Sequence, residues 1–154
     1  MTRTPYPVTA DNDILDVLRL IQDAFAYMEG RIHPPSSMQS LTAENRRAHC
    51  RSGEIWAVGK PLVACVVLTE KGNDLYVGKL AVGPNARHKG YARGLIAHAE
   101  TRAKALGKLG LLLNVRIELT ENHAAFEKMG FDQTGTGTPP GLSKPTYLIM
   151  RKPL

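Results

Sequence analysis

The sequence predicts a single α/β (α+β) domain over residues 1–154. Its sheet is mixed and mostly antiparallel, with helices on both faces and a parallel or splayed strand pair inside it. Three observations predict this. A chain of 154 residues suits one hydrophobic core. Apolar periodicity alternates between helical and strand spacing and gives the order β, α, α, β, β, β, α, β, α, β, β. The segment from a strand at 75, through a helix beginning near 88, to a strand near 110 is a βαβ unit, whose two strands run parallel or part.

Taken in order, PYPV at 5–8 reads as a short first strand, weakened by two prolines that cannot donate to a ladder. Ile14, Val17, Leu18, Ile21, Ala24, Phe25 and Met28 recur at helical spacing behind Asp11 and Asp13, and this helix is expected to end near Gly30. Pro34-Pro35 makes RIHPPSSMQS, residues 31–40, a loop, because proline cannot continue a helix. A short helix over roughly 41–50 follows. EIWAVG and PLVACVVLTE flank Gly59-Lys60 as a hairpin. KGND at 71–74 is a turn, and LYVGKLAV at 75–82 is a third consecutive strand. Gly78 inside it marks a bulge or a close backbone approach. The helix from about 88 to 106 carries Tyr91, Ala92, Leu95, Ile96, Ala99, Ala103 and Leu106 on one face. LGLLLNVRIEL is then a strand and ENHAAFEKM a short helix, with Gly130 as its C′ residue. FDQTG, the turn TGTPPG and the strand PTYLIMRK finish the chain.

Composition narrows the functional classes. The longest apolar run, LVACVVL at Leu62–Leu68, is far too short to span a bilayer. The start MTRTPYPV lacks the apolar stretch of a signal peptide. Cys50 and Cys65 form no CxxC pair and suit idle thiols in a reducing cytoplasm. His49, His98 and His123 show no ligand spacing, so no metal is expected. The net charge of +6, from 20 basic and 14 acidic residues, favours an anionic ligand. Nucleic acid rests on that charge alone: aromatics are 6% and do not interleave with the basic residues, so no nucleic-acid partner is expected.

The charge gathers at RHKGYARGL, residues 87–95, where a strand turns into a helix. A helix start is already electropositive from its free N–H groups. Placing Arg87, His88, Lys89 and Arg93 there is unfavourable unless an anion joins them. Glycine at the turn lets backbone N–H groups converge on a phosphate. Taken alone, the segment also fits an ordinary helix start with a solvated basic face. It matches neither GxxxxGK[ST] nor GxGxxG.

The stretch LAVGPNARHKGYARGLIAHAETRAKALG resembles the cofactor-binding motif of the GNAT superfamily of acyl-CoA N-acyltransferases. That motif is Arg/Gln-x-x-Gly-x-Gly/Ala after a strand ending in Val-x-Pro, and Val82, Pro84, Arg87, Gly90 and Ala92 fall in register. A second hallmark follows in ENHAAFEKMGF, with Asn122 and Gly130-Phe131. The resemblance extends over nearly the whole element order and implies the acyl-CoA N-acyltransferase fold, with acetyl-CoA as cofactor. It implies that Arg87, His88, Lys89, Gly90, Tyr91, Ala92 and Arg93 hold the pyrophosphate of coenzyme A. It also implies that Leu80, Ala81 and Val82 lend main-chain groups to the pantetheine arm and acyl carbonyl, that Asn122 holds that arm, and that Phe126 lies along it. The acceptor would be a small-molecule or peptide amine. The region around the Pro-Pro loop caps the acceptor site in the family, which implies contacts from Tyr27, Glu29, Arg31 and His33. Dimerisation is common in the family.

The chemistry asks for a deprotonated amine, its placement, an oxyanion donor and a leaving thiol. The N–H of Leu80 or Ala81 suits the oxyanion. Many members of the family carry a Tyr four residues before the Gly of Gly-Phe as the acid for the sulfur. Phe126 stands there and has no proton to give. Tyr147 and Tyr76 are the alternative acids, or else packed sheet tyrosines. Glu118 is the candidate base: alternation of Leu113, Val115, Ile117 and Leu119 puts it on the opposite face, lining the acceptor cleft or solvated. The expected activity is acetyl transfer to a primary amine. A non-catalytic acyl-CoA-binding module is the other reading, motivated by Phe126.

Overall fold

The computed structural model describes residues 5–8, 14–25, 53–59, 62–83, 86–87, 89–138 and 141–154. The helix expected over 41–50, the Pro-Pro loop, the end of the first helix near Gly30 and Cys50 lie outside them. Among the described residues, seven strands form one sheet in the order β1-β2-β3-β4-β5-β7-β6. They are β1 (Tyr6–Pro7), β2 (Glu54–Val58), β3 (Ala64–Lys71), β4 (Asp74–Val82), β5 (Gly110–Arg116), β6 (Asp132–Gly137) and β7 (Tyr147–Pro153). Every pairing is antiparallel except β4 with β5. The described helices are α1 (Ile14–Phe25), α2 (Tyr91–Ala105) and α3 (Thr120–Lys128). None is long and apolar enough to cross a membrane.

The sheet divides two cores. On one face Tyr91, Leu95, Ile96, Ala99 and Ala103 of α2 pack on Ala64, Val66 and Leu68 of β3 and on Leu111, Leu113 and Val115 of β5. On the other, Val17 and Ile21 of α1 are fully buried against Ile55, Ala57, Cys65 and Val67. Cys65 is buried and forms no disulfide among the described residues. Truncating a fully buried leucine such as Leu95 to alanine costs about 2–5 kcal/mol, so these helical faces fix the sheet between them.

β4 departs from regular alternation. Leu75 and Val77 face the α2 core; after Val77, Leu80 and Val82 face it, while Ala81 faces α1. Even spacing would put residues 77 and 81 on one side. The swap comes from one extra residue: β3 keeps its rhythm while its register against β4 jumps from Val67↔Gly78 to Cys65↔Ala81. The bulge carries Lys79 at φ 50°, the only described non-glycine residue with positive φ. Gly78, the sequence marker, is thus beside the deformation while Lys79 takes the left-handed backbone.

The βαβ strands are both parallel and splayed. Asp74, Leu75 and Tyr76 pair with Gly110, Leu111 and Leu112, and the pairing ends there. A clasp closes the paired base: Arg151 of β7 reaches over Gly110 and donates from Nε and Nη2 to Asp74 at 3.0 and 2.9 Å. A Cβ on Gly110 would stand 2.8 Å from the guanidinium carbon, so the clasp needs glycine beneath it.

β5 ends at Arg116, earlier than its apolar alternation suggests, because Ile117 and Glu118 form a turn. The Arg116 carbonyl accepts the Leu119 N–H at 3.1 Å, which bends the chain into α3. Ile117 is consequently 37% exposed, and strand alternation no longer sets the direction of Glu118. Gly130, at φ 100°, is the C′ residue of α3; its N–H goes to Glu127 and that of Phe131 to Phe126, satisfying the last carbonyls.

A polar seam joins β2 to α2. Glu54 accepts from Arg102 Nε and Nη2 at 2.8 and 2.6 Å and from Trp56 Nε1 at 2.7 Å. Arg102 also lies over the Trp56 ring, and His98 meets that ring edge-on with centroids 4.1 Å apart. The bond from Arg102 outweighs burial and holds Glu54 below the usual carboxylate range. Burial, then the Arg102 charge, pushes the His98 pKa down against the opposing pull of Glu54. His98 Nε2 is buried with no hydrogen-bond partner among the described residues.

Two outcomes follow from this architecture. Because His98 is harder to protonate folded than unfolded, its contribution is fully present above pH 6.5 and is lost as pH falls below it, through the lowered folded pKa. Thermal melts between pH 7.5 and 5 should show wild type losing more stability than His98→Asn, with the gap between the two changing below pH about 6.5. At the bulge, Lys79→Gly should leave urea stability unchanged or raise it by up to about 1 kcal/mol, whereas Lys79→Val should lower it by about 1–2 kcal/mol.

Candidate cofactor slot and active site

β4 ends at Val82, and the chain must turn from the sheet onto its α2 face. The Gly83 N–H donates to the Val63 carbonyl at 2.8 Å and Ala86 N–H to Gly83 at 2.9 Å, holding the turn against the sheet. Gly90 precedes α2 at φ 85°, a conformation that costs a side chain about 1 kcal/mol or more. Among the described residues no side chain caps this helix, and its first turn holds no acid. Its first internal bond is Gly94 N–H to the Gly90 carbonyl at 3.0 Å, so the amides before Gly94 lie at the open end. Arg87, Lys89 and Arg93 are exposed around it, Ala92 is half-buried, and Tyr91 turns into the core. Among the described residues, several acids elsewhere are paired with bases, such as Glu70 with Lys108 at 3.2 Å and Glu100 with Lys152 at 2.7 Å. Lys89 and Arg93 are held by no such pair. His88 and Pro84 lie outside the described residues.

The same end of the sheet holds the splay. Beyond Tyr76, no described strand pairs with β4 on its β5 side, and β5 continues against β7 alone. A sheet strand must satisfy its backbone groups, so the stretch holding Lys79, Leu80, Ala81 and Val82 offers an edge inside the sheet. Leu80 and Val82 are half-buried on the α2 side, and Ala81 is buried on the α1 side. Both helices that follow the diverging strands, α2 and α3, begin at this end. Parallel strands that part leave a crevice at their carboxyl ends where ligands fit. Thus the structure brings Leu80, Ala81 and Val82, the basic turn, and Asn122 in the first turn of α3 to one end of the molecule, while Phe126 stands in the last turn of that helix. Asn122 is half-buried. Phe126 packs edge-on against the fully buried Phe131, centroids 5.7 Å apart.

On the α1 side of the opening stand two tyrosines. The Tyr76 ring lies along β4 over Gly78, with Cε1 3.2 Å from where a Cβ would be. Burial pushes its hydroxyl above the ordinary tyrosine range, and a charge on Tyr147 would push it the same way. The two hydroxyls are therefore near enough to feel each other, and Tyr76 stays protonated at neutral pH. Tyr147 opens β7 opposite Arg116 and Gly137. Its ring crosses Gly137 so closely that a Cβ there would collide with the ring and hydroxyl. Glu118 sits at the same end, half-buried in the turn after β5.

The acceptor-side residues Tyr27, Glu29, Arg31 and His33 fall outside the described residues. Sequence reasoning missed three features of the site. Glycine seats under Tyr76 and Tyr147 were readable only once strand register was known, although Tyr76-x-Gly78 is a local hint. The third is His123, whose Nε2 lies 2.9 Å from the Arg116 carbonyl. Among the described residues no group of three or more His, Cys, Asp or Glu is placed to hold a metal.

Comparison with known proteins bears on this arrangement. A model of the acetyltransferase (GNAT) family matches residues 15–131. No match was found among curated proteins. Among solved structures, the chain is similar to PaiA N-acetyltransferase from Thermoplasma acidophilum in complex with coenzyme A, at 16% identity and TM-score 0.83, covering 98% of each chain. It is similar to a spermidine N-acetyltransferase SpeG chimera from Vibrio cholerae and hSSAT, at 22% identity and TM-score 0.73, covering 97% of this chain and 94% of that one. It is also similar to the ribosomal-protein-S18-alanine N-acetyltransferase from Escherichia coli, at 17% identity and TM-score 0.72, covering 97% and 92%. At these identities the structural likeness speaks for the fold. With the family matched across most of its length, the chain belongs to the GNAT acetyltransferase family.

Proposed function

We propose that this acetyltransferase takes its acyl group from acetyl-CoA and delivers it to a primary amine by direct attack on the thioester. The opening between β4 and β5 carries the reading. It combines an unpaired strand edge, a one-residue bulge and an uncapped basic helix start at one end of the sheet. An extended arm bearing amides fits the edge, and a pyrophosphate fits the helix start.

The bound thioester supplies an activated acyl carbon and a thiol leaving group. The α2 amides, with Arg87, Lys89 and Arg93, hold the diphosphate. The β4 edge at Leu80, Ala81 and Val82 orients the arm, and Asn122 and Phe126 border it on the other side. The N–H of Leu80 or Ala81 faces the carbonyl oxygen and stabilises charge that develops there. Glu118 takes the proton from the amine, directly or through a water. A thiol of pKa about 8.5 departs as thiolate near neutral pH at a penalty of roughly 2 kcal/mol. Phe126 is therefore no obstacle, and the Tyr147 and Tyr76 hydroxyls are donors on the acceptor side. Tyr27, Glu29, Arg31 and His33 meet the acceptor, a small-molecule or peptide amine. The buried Cys65, in no disulfide among the described residues, fits a cytoplasmic setting.

The packing of Phe126 on Phe131, where the family often has a proton donor, favours a second reading: an acyl-CoA-binding module without turnover. Binding of acetyl-CoA with no product over a broad amine panel would select it.

Acetyl-CoA and coenzyme A at about 100 times Kd should each stabilise the fold by roughly 2.7 kcal/mol in a thermal shift, with little effect from ATP. Equal shifts with ATP, or none with either CoA species, would sink the cofactor reading. Gly90 is a poor site for a charge-reversal test because its backbone strains any side chain. Ala92→Glu instead enters a helical first turn and should abolish the acetyl-CoA shift with the unliganded melting temperature retained. Glu118→Gln should lower kcat by about a hundredfold or more while leaving the acetyl-CoA KM nearly unchanged; an unaltered pH–rate profile would remove Glu118 from the base role.

A further inference from the structure

α3 meets the core through partly buried side chains such as Phe126. None of its side chains is fully buried and none caps its N-terminus. Leu119, 3% exposed, anchors the residue before it, and Phe126 meets Phe131 near its far end. Between these points His123 supplies a tie to the sheet: its Nε2 lies 2.9 Å from the carbonyl oxygen of Arg116. A carbonyl only accepts, so the imidazole donates and its Nε2 carries a proton. The same oxygen accepts the Leu119 N–H at 3.1 Å. The last carbonyl of β5 is thus gripped by the turn into α3 and by the first full turn of the helix itself.

β5 is the strand whose departure from β4 makes the opening, and Asn122 is the neighbour of His123 on α3. Rotation or sliding of the helix would move both side chains together. We propose that His123 is a positioning residue: its bond to the Arg116 carbonyl sets the pitch of α3 so that Asn122 meets the pantetheine arm of the bound coenzyme. The proposal rests on the cofactor reading above and adds a residue which that reading does not use. Sequence spacing offers no metal or catalytic role for this histidine, and its one described polar contact is to a backbone oxygen.

The test is a double-mutant cycle read by acetyl-CoA affinity. His123→Phe keeps a ring and removes the donor; His123→Gln keeps an N–H donor on a good helix former. His123→Phe should weaken acetyl-CoA binding by about three- to tenfold, the range of one net hydrogen bond, and His123→Gln should restore most of it. With Asn122→Ala already present, His123→Phe should add less than about twofold. Should His123→Phe fail to fold, His123→Leu takes its place. Equal losses in both backgrounds, or no recovery with Gln, would overturn the proposal, leaving His123 a stability residue only. Unchanged affinity in Asn122→Ala would also overturn it while wild type still binds acetyl-CoA, which separates its failure from that of the cofactor reading. Wild type that binds no acetyl-CoA would overturn both.

Discussion

A strand inside a sheet has to pass every backbone donor and acceptor to a partner, and β4 meets that demand on one side only. Its pairing with β3 runs its full length apart from the bulge, while its pairing with β5 stops after three residues. The rest of the site is arranged around this asymmetry. The Asp74–Arg151 clasp holds the paired base together. α2 and α3 each begin where one of the parting strands ends. The extra residue at Lys79 switches which side chains face each core just where the edge opens. Without the bulge, Ala81 would face the α2 core and Leu80 the α1 side.

Local chemistry made much of the fold readable. Helical spacing exposed the buried faces of α1 and α2, alternation exposed the hairpin of β2 and β3, and Gly130 announced the end of α3. The basic turn was legible because its charge is costly where a helix starts. Features set by pairing between distant segments were not. Gly78 drew attention to the right strand, but the strained residue is Lys79, since register against β3 decides which peptide is extra. The apolar alternation from Leu113 to Leu119 ran past the true end of β5, because a carbonyl captured by the next helix ends a strand without altering hydrophobicity. The seats beneath Tyr76 and Tyr147 depend on neighbours in space. The acceptor side, from Tyr27 to His33, was named from family likeness and lies outside the described residues.

Charge is divided by place. Around the frame, bases are matched to acids: Arg102 to Glu54, Arg151 to Asp74, Lys108 to Glu70, Lys152 to Glu100. These pairs are partly exposed and individually worth at most about 1 kcal/mol, so they register elements more than they stabilise them. At the start of α2 the pattern reverses, with cations gathered around an uncapped helix end and no acid in its first turn.

Gly137 and Tyr147 also carry a consequence for how such a sequence can change. The ring of Tyr147 occupies the space that any side chain at 137 would need. The two positions face each other across β6 and β7 although ten residues separate them. They behave as a single inherited character: a lineage that acquires alanine or anything larger at 137 must give up the aromatic at 147 or rebuild the strand pair. Among related chains, glycine at the first position should therefore travel with tyrosine at the second, and the pair should be lost together.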